Sequence, residues 1–133
     1  MSQSKLLELL DRWVQAIEAK DLDALARVFR AGDELSVFWS NGERTLGWEE
    51  VRRHIEVDFR KDVDLTMAVH DVHMTFMGED ASVLTFSYDI TVTAGEDAVT
   101  CPRRASMTAH RDAQGWRIAS LHVSTGSPPG SHG

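Results

Sequence analysis

Four long β-type runs fill the second half of the chain: about Leu65–Met77, Ala81–Thr93, Val99–Arg111 and Trp116–Thr125. The breaks between them are Gly78-Glu79-Asp80, Ala94-Gly95-Glu96-Asp97 and Asp112-Ala113-Gln114-Gly115. Each break combines glycine with acidic residues, which is the chemistry of hairpin loops. The pattern predicts an antiparallel meander. Strands of this length suit a strongly curved sheet, and such a sheet needs one face covered.

The residues before the meander can supply that cover. From about Ser4 to Ala19, Leu6, Leu10, Trp13, Val14 and Ile17 recur at helical spacing, with Glu8, Asp11, Gln15 and Glu18 opposite. Asp21 is a natural N-cap for a second helix carrying Leu22, Leu25, Val28 and Phe29. Gly32 is placed to end that helix as a left-handed cap. Leu35–Trp39 reads as a short strand, Ser40-Asn41-Gly42-Glu43 as a tight turn, and Arg44–Leu46 as a brief return strand. Gly47 then opens a third helix, roughly Trp48 to Arg60, with Glu50 near its positive end and Trp48, Val51, Ile55 and Phe59 facing inward. The expected layout is α+β: one domain over residues 1–126, followed by a disordered tail at 127–133 rich in Gly, Pro and Ser.

Composition excludes several functions. The net charge is −7 and no Lys/Arg run exceeds two residues, which argues against a nucleic-acid partner or an anionic membrane surface. No apolar run reaches spanning length, and the N-terminal MSQSKLLELL lacks signal-peptide layout. With a single cysteine, Cys101, no internal disulfide can form, so a reducing, cytoplasmic setting is expected. His70 and His73, three apart on a strand, should point to opposite faces, and no other metal-ligand spacing occurs, so no metal is expected. No Gly-rich phosphate loop follows a strand, so no cofactor is expected either.

Alternation sorts the strand side chains into two rows. Leu84, Phe86, Tyr88 and Ile90 belong to an inner row, as do Arg103, Ala105, Met107 and Ala109, and Ala119, Leu121 and Val123. Trp13, Trp39, Tyr88, Arg103 and Met107 become candidate ligand-binding residues: large apolar surfaces with one phenol and one guanidinium able to meet a carboxylate or enolate. Local hydrogen bonding by Tyr88 and plain core packing by the tryptophans is the competing reading. His54 and Asp58 lie four apart on the third helix, where an Asp could orient a His as a general base; an exposed ion pair is the alternative. With Tyr88 they form the catalytic candidates. Trp116, Ile118, His122 and Ser124 fall together in the outer row, a mixed apolar and hydroxyl surface suited to a subunit interface.

The order of elements, with Ala16-Ile-Glu-Ala-Lys-Asp-Leu-Asp-Ala-Leu25, Val72-His-Met-Thr-Phe-Met-Gly-Glu-Asp-Ala81 and His110-Arg…Gly115-Trp116…His122-x-Ser124, resembles the nuclear-transport-factor-2-like superfamily. Within it, the chain looks most like the SnoaL-like branch and the association domain of calcium/calmodulin-dependent kinase II. The resemblance implies a cone-shaped α+β barrel, three N-terminal helices on a strongly curved antiparallel sheet, an apolar cavity, and a homodimer packed through the sheet face. The arginines that line the kinase association domain's cavity correspond here to Tyr88, Met107 and Val123. Three functions fit: binding of a small apolar or carboxylated ligand, a cofactor-independent isomerase, cyclase or dehydratase, and an assembly module without ligand.

Overall fold

The computed structural model describes residues 2–126, and the tail expected over 127–133 lies outside the described residues. Helix α1 spans Ser2–Glu18 and buries Leu6, Leu9, Leu10, Trp13 and Ala16 along one stripe. It ends with Lys20 in the left-handed region (φ 54°), while the N–H of Asp21 donates to the Ala16 carbonyl at 2.9 Å and that of Lys20 to Ile17 at 3.1 Å. This Schellman-type closure reverses the chain within three residues. Asp21 then caps α2 (Leu22–Val28), its Oδ1 accepting the Ala24 N–H at 3.0 Å.

Gly32 does not end α2. The helix stops at Phe29, whose extended backbone bridges to Ile118, and the Arg30 N–H donates to the Ile118 carbonyl at 2.8 Å. Sheet pairing therefore terminates the helix before Gly32 is reached. Strands β1 (Ser36–Phe38) and β2 (Arg44–Leu46) flank the Asn41-Gly42 turn. Helix α3 (Gly47–Phe59) follows, with the Glu50 carboxylate reaching back to the Leu46 N–H at 3.2 Å. Gly47 is left-handed (φ 79°), and a Cβ there would stand 3.4 Å from the Gly32 carbonyl oxygen, so this turn requires glycine.

The meander comprises β3 (Asp64–Phe76), β4 (Ala81–Ala94), β5 (Asp97–Asp112) and β6 (Gly115–Thr125). The sheet order is β2-β1-β6-β5-β4-β3. β1 pairs with β6 in parallel, so the sheet is mixed, whereas the sequence pattern implies an antiparallel one. The chain reaches β1 through α2 and returns to its neighbour only at the far end of the meander, a connection that local turn signals do not register. The sheet is also open among the described residues, with β2 and β3 as edges in place of a closed barrel. α1 packs on β3 and β6, and α2 packs on β6. Trp13 joins the layers: its ring meets Phe86 and Tyr88 edge-on at 5.8 Å each, contacts that add roughly 0.5–1.5 kcal/mol per pair beyond simple burial.

Two bulges reset the alternation. In β6, Thr108 faces Ser120 but Ala109 faces Ile118, so Ala119 is an extra residue. Trp116 and Ile118 consequently turn inward, and Ile118 is fully buried. They do not share an outer face with His122 and Ser124, as uninterrupted alternation predicts, because the extra residue reverses the row beyond it. In β3, Asp71 and Val72 together oppose Phe86, with Asp71 left-handed at φ 57°. His70 and His73 thereby stand opposite Ser87 and Thr85 on the same outer face, although three residues apart.

Candidate functional site

Between the helices and the inner sheet face lies a cavity of about 380 Å³. Trp13 and Ile17 of α1 contribute to its wall, Ile55 and Phe59 come from α3, and Ile90 and Val123 from β4 and β6. The polar groups are few. Tyr88 and Arg103, direct cross-strand partners on β4 and β5, both line it. Asp58, Lys61, Ser40 and Cys101 complete the polar set.

Burial pushes the Tyr88 phenol up to about 12, and the positive charge of Arg103 only partly opposes this. The phenol therefore remains neutral at ordinary pH and can donate a hydrogen bond to a ligand oxygen. Among the described residues the Tyr88 hydroxyl makes no side-chain hydrogen bond, and the residue lines the cavity. The Arg103 side chain donates from Nη1 to the Pro102 carbonyl at 2.9 Å. A guanidinium has five N–H donors, so most of its fork is still available to a planar oxyanion.

Trp39 holds its place through its indole N–H, which donates to Thr45 Oγ1 at 2.9 Å, and its ring stacks on His54 with centroids 4.0 Å apart. The carboxylate beside His54 is Glu43, 3.6 Å from Nδ1. Asp58 pairs instead with Lys61 at 3.2 Å. Helical spacing thus puts His54 and Asp58 on one side of α3, but different partners draw them apart and no His–Asp dyad forms. Only Asp58 of the two lines the cavity.

Met107 is fully buried between Leu84 and Leu121 and lies in the core beyond the cavity wall. Trp13, Trp39, Tyr88 and Arg103 do come together at the cavity. The wall also holds Cys101 and Lys61, which sequence reasoning missed as site residues. Cys101 shares the inner parity of Arg103, so alternation alone could have found it; Lys61 lies after the end of α3, where no periodicity gives direction.

On the outer face, His122 and Ser124 line a shallow polar depression with Arg104, Ser106 and Ser87. The His122 ring lies 5.3 Å from that of Phe38, which is 42% exposed. His70 contacts Asp71 at 3.1 Å and Asp89 at 3.4 Å, and its pKa is raised, chiefly by the hydrogen bond to Asp71. Among the described residues no three His, Cys, Asp or Glu side chains gather as a metal site requires. No helix of the described residues is long and apolar enough to cross a membrane.

A helical layer over a six-stranded mixed sheet, with a cavity between them, is the architecture of the nuclear-transport-factor-2-like proteins. The SnoaL-like domain model matches residues 6–128, nearly the whole chain, and the protein belongs to that family. Among solved structures, a nuclear transport factor 2-like superfamily protein from Salmonella enterica serovar Typhimurium superposes with a TM-score of 0.85 at 20% identity, covering 96% of this chain and 92% of that one. A protein named as a candidate dehydratase of the same family, from Streptomyces avermitilis, gives 0.83 at 20% identity over 94% and 96%. A CaMKII hub from S. rosetta gives 0.77 at 19% identity over 92% and 95%. These likenesses establish the shared fold. No match was found among curated proteins.

Proposed function

We propose that this protein binds a small apolar or carboxylated ligand in a cone-shaped cavity, as a homodimer joined through the outer sheet face. One observation carries the reading: Tyr88 and Arg103, adjacent across β4 and β5, bring a neutral phenol and a guanidinium into an otherwise mainly apolar space. The cavity volume lies within the range of small-molecule sites, and this balance of many apolar walls and few polar handles is typical of them. An aromatic or alicyclic carboxylate would place its rings against Trp13 and Trp39 and its oxygens toward Arg103. For the dimer, the support is the partly exposed Phe38 beside His122 on a face rich in hydroxyls.

The test is a thermal-shift screen of aromatic and alicyclic carboxylic acids, with native mass spectrometry of the purified protein. Binders should raise the melting temperature of the parent and lose most of that effect in Arg103→Met. A screen without any shift, together with an empty protein by mass spectrometry, rejects the ligand-binding reading.

A second reading is a cofactor-independent isomerase, cyclase or dehydratase, supported by the presence of the Asp58 carboxylate in the same cavity. Asp58 would accept a proton from the substrate, Arg103 would stabilise the developing oxyanion, and Tyr88, held neutral, would donate a hydrogen bond. Loss of turnover in Asp58→Asn with unchanged ligand affinity distinguishes this reading from binding alone.

A further inference from the structure

A second concave surface opens toward the other end of β5; on α1, Trp13 lines the cavity and its neighbour Arg12 lines this surface. It is a groove of about 870 Å³ between α1, α2 and the β5–β6 hairpin. Arg103 and Arg111 mark the two sites along β5, and eight residues of strand separate them by about 26 Å. The groove's cations are Lys5 and Arg12 from α1, Arg27 from α2, and Arg111 and Arg117 from the hairpin; its carboxylates are Glu8 and Asp11. It thus carries +3, so that the remainder of a −7 chain carries −10. A basic patch against such a background concentrates the field that an acidic partner would feel.

Internal pairing accounts for only two of these five cations. Lys5 lies 3.7 Å from Glu8, and Arg111 is held by Asp80 at 2.9 Å while covering the Trp116 ring at 5.8 Å. Among the described residues, no carboxylate lies within 4.0 Å of Arg12, Arg27 or Arg117. Three guanidiniums drawn from three different elements thus line one groove with no carboxylate partner among the described residues.

The form of the groove selects the ligand. At about 870 Å³ it has more room than a single phosphate needs, and Glu8 and Asp11 interrupt its α1 wall, so a compact polyphosphate would meet repulsion there. Arg27 of α2 and Arg111 and Arg117 of the hairpin bring cations to the rest of the lining, between the neutral Gln114, Gly115 and Trp116, and no carboxylate lines that part. An extended peptide with spaced carboxylates can place them against that part and turn backbone or neutral side chains toward Glu8 and Asp11. Long nucleic acid would bring its charge past the acidic remainder of the surface. We infer that this groove docks an acidic peptide segment of a partner protein, with Arg12, Arg27 and Arg117 as its carboxylate receptors.

The test uses the full chain and a fluorescein-labelled octapeptide of alternating glutamate and alanine, followed by fluorescence anisotropy. Binding should weaken steadily with added salt and fall by about tenfold in the triple variant Arg12→Glu, Arg27→Glu, Arg117→Glu. A charge-matched control, Arg44→Glu, Arg53→Glu, Arg60→Glu, should bind within about twofold of the parent, and circular dichroism of both triples verifies folding. The proposal is overturned if the two triples lose affinity equally, if the parent does not bind the peptide, or if inorganic tripolyphosphate or duplex DNA displaces the peptide at lower charge concentration than unlabelled peptide does. A triple variant that fails to fold is replaced by Arg27→Gln with Arg117→Gln, judged by the same criterion against an Arg44→Gln, Arg53→Gln control.

Discussion

Tyr88 and Arg103 stand opposite each other on β4 and β5, with the phenol buried and the guanidinium beside it at the cavity wall. Burial disfavours the phenolate more strongly than the arginine favours it, and the net result is a tyrosine pushed up to about 12. Since the folded state holds this proton more tightly than the unfolded chain, the associated stability is fully present below pH 10 and is lost as pH rises through about 12. The loss should amount to about 2–3 kcal/mol across that window. Tyr88 is the chain's single tyrosine, so near-ultraviolet titration of phenolate absorbance reads it directly. Denaturation of Tyr88→Phe over the same pH range should lack this component.

Ile118 and Ser124, both expected outside from simple alternation, should respond oppositely to truncation. Ile118→Ala empties a fully buried position and should cost about 2–5 kcal/mol in urea denaturation. Ser124→Ala, on the outer face, should stay within about 0.5 kcal/mol. Equal effects at the two positions would refute the bulge at Ala119.

At Gly47, a left-handed backbone meets a neighbouring carbonyl oxygen. Gly47→Ala should destabilise the fold by more than about 1 kcal/mol, because the new Cβ is strained by both φ and contact. Gly78 is also left-handed, but a Cβ added there would meet nothing within 4 Å, so it carries only the conformational part of that penalty. Chemical denaturation of the two alanine variants should therefore rank Gly47 as the costlier site.

The outer-face His70 offers a pH readout. Its pKa is raised, first by the hydrogen bond to Asp71 and then, after an opposing desolvation, by further charge and hydrogen-bond effects of Asp71 and Asp89. An NMR titration should show Asp71→Asn moving the midpoint down toward 6.5, and Asp89→Asn moving it down by less. The favourable interaction is complete below 6.5 and disappears as pH rises through the raised value. A midpoint insensitive to Asp71→Asn would show that the left-handed bulge does not hold the pair together.

Much of this protein was legible in the order of residues alone. Helical periodicity marked Leu6, Leu10 and Trp13 as one buried stripe, Asp21 announced α2, and Gly-acidic breaks placed the hairpins of the meander within a few residues. Alternation correctly turned Tyr88 and Arg103 inward, because β4 and β5 pair without a bulge along their whole length. These are local properties: period, cap and turn chemistry depend on neighbours in the chain.

Tertiary structure decided what local signals do not encode. One extra residue at Ala119 reversed the row containing Trp116 and Ile118, and the Asp71-Val72 bulge brought His70 and His73 to one face. His54 and Asp58 had the spacing of a dyad, yet His54 lies beside Glu43 and Asp58 pairs with Lys61. The parallel pairing of β1 with β6, the entry of Lys61 into the cavity wall and the gathering of Arg12, Arg27 and Arg117 each join segments distant in sequence. A bulge shifts every later side chain by half the strand period, and an ion pair goes to whichever charge the fold brings near; both are settled only when the sheet packs against its helices.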